Sequence, residues 1–408
     1  MGETMTAVQP IPTDHASQMA DIGQVLLRKA RDLAPILRER AAATNAARRI
    51  PQETIRDFWD AGLWYLLKPK KFGGREIRPD VAFAVANELA RGDGSPAWIW
   101  AVFTIHDLLV ALWPEEFQHE YWAKDTLSAS SFAPMGKAQP ANGGYRISGK
   151  WTFCSGVDNA DWLLLGVFFG PPSSGSPMPD IRYAMIPQRE AKVIDDWFVF
   201  GLRGTGSKSV AIDDLFVPSH RVLGLAEMMQ GTTPGSRVHE SPLYKAPVWS
   251  IIPFTISSPA NGMARGGLDA FIEEMKVREG SFDHSPLAKK PGIQLTVAEA
   301  SAMIDSAELL YRRSFRETID KILAGEPISI EHRARSRRDQ GFSVMLAKQA
   351  AEKLFTATAG RGLYEGSHVQ RAYADVHAVS GHIVAGWEMP AYSYGQVVLG
   401  GAPSDSFT

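Results

Sequence analysis

The sequence holds a single cysteine, Cys154, in 408 residues. No disulfide framework can form within the chain, and such sparing use suits a reducing compartment. The expected location is the cytoplasm. Net positive charge is also missing, since 43 lysines and arginines face 45 aspartates and glutamates. A phosphate backbone meets no broad attractive field, so nucleic acid is not an expected partner. The one dense basic run, RARSRR at 333–338, sits beside a helix-like segment. Long apolar runs are missing too. WLLLGVFFG, 162–170, falls short of the roughly 20 residues of a membrane span, and MGETMTAVQPIPTDHASQ at the N-terminus has no basic-then-apolar leader pattern. No membrane partner is expected.

What is present is a chain 45% hydrophobic and 22% charged, long enough for two or three packed units around a large core. Three regions differ in pattern. In 1–125, Ile22, Val25, Leu26, Leu33, Ile36 and Leu37 recur at helical spacing, Pro51 and Pro79 open further helices, and Gly92 and Gly94 punctuate. In 126–232, short runs rich in Val, Ile, Phe and Trp are broken by Gly, Pro, Asn and Asp. GGYRISGKWTF reads as a hairpin turning near Ser148-Gly149, followed by strands ADWLLLGVFFG, DIRYAMIP, AKVIDDWFVF and KSVAIDDLFVP. These predict an antiparallel sheet or barrel, with GPPSSGSPMPD at 170–180 as a loop between strands. In 233–408, helical patterns of four-helix-bundle length return. The fold class is α+β with several domains.

Several motifs nearly occur. GLRGTGSKS places Gly201 and Gly206 at phosphate-loop spacing, but Ser207 stands where lysine is needed and a strand follows. In GRGLYEG, Glu365 replaces the third glycine of a dinucleotide-binding turn and no strand precedes it. No serine lies in a nucleophile elbow. On a continuous helix, His377 and His382 would point about 140° apart, which makes no metal clamp. No metal is expected, and His377 reads as structural.

The order of helices, a strand unit holding SGKWTFCSGVDNADWLLLG and GLRGTGSKSVAIDDLFVPSHRV, and helices ending HVQRAYADVHAVSGH resembles the acyl-CoA dehydrogenase fold over nearly the whole chain. That fold implies an N-terminal helical domain, a central β domain and a C-terminal four-helix bundle. FCSGVDNADW, GLRGTGS and DVHAVSGH together resemble the flavin-dependent monooxygenases of that fold, the oxygenase components of two-component systems such as p-hydroxyphenylacetate hydroxylase and the steroid-phenol hydroxylase of cholesterol breakdown. The dehydrogenation apparatus is missing. In one dehydrogenase group a catalytic glutamate lies about a dozen residues beyond the arginine matching Arg371. That count lands on Ile383, beside His382, and no carboxylate lies between Asp375 and Glu388. The acidic, glycine-rich thioester segment is replaced by the short SASSFAPMGKAQP.

The resemblance implies a reduced flavin, FMNH2 or FADH2, supplied by a separate NAD(P)H-dependent flavin reductase. With O2 it would form a C4a-hydroperoxyflavin that hydroxylates a phenolic or indolic ring. It also implies a homotetramer. Carried over residue by residue, Ser155 faces flavin N5, with Phe153 and Cys154 at the ring edge. Thr205, Ser207, Arg278 and Gln294 contact the cofactor, and Gly360, Arg361 and Gly362 do so from a neighbouring subunit. His106 and His382 are catalytic and meet the substrate together with Ser130 or Ser131. Pattern alone reads the histidines equally as core residues, and Ser155 as a turn residue. A desaturase of acyl-CoA dehydrogenase type, an S- or N-oxidising monooxygenase, and a non-catalytic flavin-binding protein on this fold remain as alternatives.

Overall fold

The computed structural model describes residues 13–171 and 179–408; most of the expected loop GPPSSGSPMPD and the first twelve residues lie outside them. Five helices come first: α1 (Thr13–Ala47), α2 (Gln52–Asp60), α3 (Pro79–Ala90), α4 (Gly94–Val110) and α5 (Glu115–Tyr121). Leu26, Leu33 and Leu37 form the buried stripe of α1, whereas Ile22, Val25 and Ile36 from the same expected stripe are exposed. Asp93 starts α4 by accepting the Ser95 N–H at 3.2 Å, satisfying one of the free donors of a first turn. Every residue of α4 is buried, as expected of a helix that is apolar all round. It packs against α3 and against two elements met below, the first strand and the first long C-terminal helix.

Seven strands follow: β1 (Ser128–Ala141), β2 (Gly144–Cys154), β3 (Trp162–Gly170), β4 (Asp180–Pro187), β5 (Lys192–Ile194), β6 (Lys208–Pro218) and β7 (Val222–Gly224). They form one sheet in the order β5-β6-β2-β1-β3-β4-β7. The sheet is mixed rather than antiparallel throughout, because β1 and β3 pair in parallel. The hairpin turn is at Asn142-Gly143, with Ala141 opposite Gly144 and Gly143 at φ +77°, a left-handed conformation that glycine adopts without steric cost. Ser148-Gly149 instead lies within β2. Its glycine serves packing: a Cβ there would come within 2.9 Å of the fully buried Trp151 ring, whose indole N–H donates to Gly166 O at 2.6 Å. AKVIDDWFVF leaves the sheet after Ile194 because Asp196 takes the Ser209 N–H and hydroxyl at 2.9 and 2.6 Å. SASSFAPMGKAQP proves to be most of β1, paired on both sides despite its polar composition.

Parallel pairing of β3 with β1 forces the chain leaving β2 to cross the end of β1. The crossing segment is Ser155–Asp161. Because β1 begins at Ser128 opposite Trp162, Ser155 and Ser128–Ser131 share one end of the sheet. Gly156 is fixed there by a φ of +78° and by Phe103, 2.6 Å from where a Cβ would sit. Gly156→Ala is expected to destabilise the fold by about 2–4 kcal/mol, from backbone strain plus overpacking. A denaturant midpoint equal to that of the parent would refute this.

After α6 (Leu225–Gln230), the long helices α7 (Ile252–Val277), α8 (Pro291–Leu323), α9 (Ile330–Thr358) and α10 (His368–Ser380) pack together, with α11 (Glu388–Val398) on α9. Among the described residues no helix is long and apolar enough to cross a membrane. The basic run 333–338 lies within α9 and is tied to carboxylates: Arg335 to Glu317, Arg337 to Asp405 and Arg338 to Asp339. The helical pattern around the tail histidines stops at Ser380, so His382 lies in the turn beyond α10 rather than on the helix.

Candidate active site

His106 is fully buried on α4. Its Nδ1 lies 2.6 Å from Ser128 O and its Nε2 lies 2.9 Å from Ser130 Oγ. A carbonyl only accepts, so Nδ1 carries the proton and Nε2 accepts from the Ser130 hydroxyl. Burial pushes the imidazole down to about 4, because its charged form would lie in the apolar core. Ser130 therefore keeps lone pairs free for a donor, with a neutral histidine behind it. Ser131 is placed differently: its hydroxyl donates to Thr152 O at 2.9 Å, which joins β1 to β2.

His106 stays unprotonated in the fold down to about pH 4, whereas an unfolded chain protonates it near 6.5. The unfolded state binds more protons in that window, so stability present above pH 6.5 is lost as pH falls. The loss amounts to roughly 2 kcal/mol between pH 7 and pH 5. Asp93, raised to about 8 by burial and by neighbouring Asp375, works the other way: the stability it adds at low pH is lost as pH rises toward 8. The comparison is therefore between proteins. The pH 7 to pH 5 drop in unfolding free energy should be smaller in His106→Asn than in the parent, and equal drops would refute the assignment.

Ser155 stands two helical turns away. Its Oγ is 2.8 Å from Ser207 Oγ and receives the Trp98 indole N–H at 3.3 Å. Ser207 Oγ is 2.7 Å from Thr205 Oγ1, which donates to Leu202 O at 2.8 Å. The Trp98 ring also meets His382 edge to face, with centroids 5.7 Å apart. His382 Nδ1 accepts the Val384 N–H at 3.2 Å, leaving Nε2 to carry the proton of the neutral ring. Burial, aided by Arg337, lowers this imidazole to about 4. Arg337 also holds Val384 O at 2.8 Å, fixing the turn. Trp98 and His106 lie eight residues apart on α4, about 12 Å along its axis. One buried helix thus spans from the Ser155–His382 group to the Ser130–His106 pair. Phe103, between the two, and Phe132 flank His106, with ring centroids each 6.5 Å from it.

Other expected site residues are placed as follows. Phe153 has φ +61° and is 66% exposed, and with Trp197, which it meets edge to face, it forms an aromatic rim beside Ser155. Cys154 is fully buried, its thiol pushed up to about 12 by burial and by Asp196, so it is not presented on that rim. Arg361 lines a cleft of about 660 Å³ with Arg38, Glu273 and His368. Arg278 donates to Glu274 and to Thr358 O, next to the Gly360 and Gly362 turn. Among the described residues, its chain neighbours aside, nothing lies within 4 Å of where a Gly360 Cβ would be, so none of them crowds that position. Gln294 spends its amide on Ala288 O, and neither it nor Arg278 reaches Ser155. An Arg203–Glu365 ion pair of 3.2 Å joins GLRGTGS to GRGLYEG.

The sequence reading missed Trp98 and Asp375. Trp98 is hidden among apolar α4 residues, and only its spacing from His106 could have raised it. Asp375 is buried and accepts the Leu202 N–H at 2.6 Å, a role with no local signal. The His377 Nδ1–H donates to Tyr373 O at 2.8 Å. Among the described residues no group of three or more His, Cys, Asp or Glu side chains can hold a metal ion.

Comparison with known proteins places the chain in a family. Residues 25–129 match the acyl-CoA dehydrogenase N-terminal domain and residues 254–387 the acyl-CoA dehydrogenase C-terminal domain. The chain is 35% identical to the flavin-dependent monooxygenase oxygenase subunit HsaA of Rhodococcus jostii (strain RHA1), covering 89% of this chain and 95% of that one. It is equally 35% identical to the oxygenase component of the FADH2-dependent resorcinol hydroxylase of Rhizobium sp. (strain MTP-10005), over 94% and 96%. The crystal structure of 3-HSA hydroxylase from Rhodococcus sp. RHA1 superposes with a TM-score of 0.87 at 34% identity, covering 94% and 98%. The chain belongs to the flavin-dependent monooxygenases built on the acyl-CoA dehydrogenase fold.

Proposed function

We propose that this protein is the oxygenase component of a two-component system. It would take FMNH2 or FADH2 from a separate NAD(P)H-dependent flavin reductase and, with O2, hydroxylate a phenolic or indolic ring in the cytoplasm as a homotetramer. The balance is one aromatic C–H, O2 and reduced flavin giving one aromatic hydroxyl, water and oxidised flavin. The observation that carries the reading is the Ser130–His106 pair, an acceptor for a phenol backed by a neutral histidine, with His106 on the same helix as Trp98, whose indole N–H meets Ser155. Relatives named for resorcinol, p-hydroxyphenylacetate and indole-3-acetate support an aromatic substrate.

The residues present fit a flavin. Ser155 is partly open and keeps a free lone pair, and the exposed Phe153 ring, met edge to face by Trp197, is apolar surface that a ring system would cover. Ser155 would face the isoalloxazine, with the buried Thr205 and Ser207 holding its hydroxyl from behind. Arg361 with Gly360 and Gly362 would reach the phosphates of a flavin held in the adjacent subunit, with Arg278 behind them. When bound, the reduced flavin supplies two electrons and carries the oxygen. His382, neutral with its proton on Nε2, would donate toward the reacting centre, while His106 would accept through Ser130. The three units 1–125, 126–232 and 233–408 would each contribute one wall.

The test is to mix the protein with chemically reduced flavin, air and a panel of phenols and indoles, and to look for hydroxylated product by mass spectrometry. A hydroxylated ring is the expected result. Flavin reduction by an acyl-CoA, with no hydroxylated product, would overturn the proposal.

A further inference from the structure

The hydroxyl chain behind Ser155 has only one possible polarity. At its inner end Thr205 Oγ1 lies 2.8 Å from Leu202 O, and since a carbonyl cannot donate, the threonine must. Thr205 then has only lone pairs for Ser207 at 2.7 Å, so Ser207 donates to it. Ser207 in turn receives the Ser155 proton across 2.8 Å. The far side of Ser155 Oγ is met by the Trp98 N–H, another donor. Thr205 and Ser207 are buried whereas Ser155 is partly open, so the chain runs inward from the surface. Its end is firmly set. Leu202 has φ +53°, its N–H is held by Asp375 at 2.6 Å and its carbonyl also takes the Trp197 indole N–H at 3.2 Å.

Ser155 thus offers outward a lone pair and no proton. A reduced flavin carries a hydrogen on N5, whereas an oxidised flavin has a bare lone pair there. From this polarity, and resting on the flavin reading above, we infer that Thr205 and Ser207 are positioning residues that hold Ser155 as an acceptor, so that the site selects reduced over oxidised flavin. An acceptor facing N5–H makes a bond, and the same acceptor facing a bare N5 meets repulsion between lone pairs. The site is therefore set to take up the reduced cofactor and release the oxidised one, with Thr205 and Ser207 acting only through Ser155.

Equilibrium binding of FMN and FAD, each oxidised and each reduced under anaerobic conditions, tests this without turnover. The parent should bind the reduced form at least tenfold more tightly. Thr205→Val removes the inner donor and Ser207→Ala removes the acceptor of Ser155, freeing that hydroxyl to donate outward. Each should lower the reduced-to-oxidised preference by about tenfold, the worth of one hydrogen bond, equal to about 30 mV in the two-electron potential of the bound flavin. Thr205→Ser should retain the parent preference. If Thr205→Val does not fold, Ser207→Ala decides. A parent with no preference, or one unchanged in the variants while flavin still binds, overturns the inference and leaves the flavin reading standing. A parent that binds neither form overturns both.

Discussion

Ser130→Ala and His106→Asn are each expected to lower the turnover of a phenolic substrate by about 10²–10³-fold, while reduced flavin binds as it does in the parent. Burial leaves His106 weakly basic. At about 4, against about 10 for a phenol, a full proton transfer in the resting site is uphill by roughly 8 kcal/mol. The histidine therefore does not make a phenolate in advance. In the proposed function it would hold Ser130 as an acceptor for the phenol, drawing electron density toward the ring. It would take the proton only as oxygen attacks and the ring becomes electron-poor, when the phenol turns strongly acidic. That predicts a loss concentrated in kcat, because the interaction strengthens along the reaction. Parallel assays with a phenol and its methyl ether would separate this from simple packing: the variants should lose most of the difference between the two. Turnover within threefold of the parent for either variant would sink the role given to the pair.

Ser155→Ala is expected to leave flavin consumption nearly intact but divert it, raising hydrogen peroxide released per reduced flavin and lowering aromatic product about tenfold or more. The hydroxyl is the one polar group at the rim that is tied inward by Ser207 and bracketed by Trp98. Removing it leaves both partners without their bond and would take away the contact proposed for the flavin. Peroxide yield and product yield measured on the same sample give the answer. An unchanged ratio would remove Ser155 from the site. Ser155→Thr, which keeps the hydroxyl, should recover part of the coupling if its methyl group is accommodated.

Much of the architecture was legible because helical periodicity in α1, α8 and α9 is long and strong, and because Val- and Ile-rich runs bounded by Gly, Pro, Asn and Asp mark β3, β4 and β6. The misreadings have physical causes. Two turn-like dipeptides, Ser148-Gly149 and Asn142-Gly143, compete within a few residues, and only the bulk of Trp151 shows that the first glycine makes room rather than a bend. β1 looks like a loop because a strand paired on both sides draws its stability from neighbours rather than from its own β-branched residues. His382 was measured on a helix that ends two residues earlier. In the candidate site, Ser155, His106 and the choice of Ser130 or Ser131 came from the sequence, but their bond directions were not legible there. Which serine faces His106, and which way each hydroxyl points, depends on partners 21 to 52 residues away.

Asp375 grips the Leu202 N–H, and Gly201 lies so close that a Cβ would come within 2.1 Å of Ala374 O. Seven residues later the same stretch delivers His382. The loop that aims the Ser155 hydroxyl and the histidine on the other side of Trp98 are thus mounted on a single ruler, whose graduations are helical residues. Adding or deleting one residue between Asp375 and Ser380 would shift one fixture against the other by about 1.5 Å and 100°. The interval is therefore as much a part of the site as the side chains it separates.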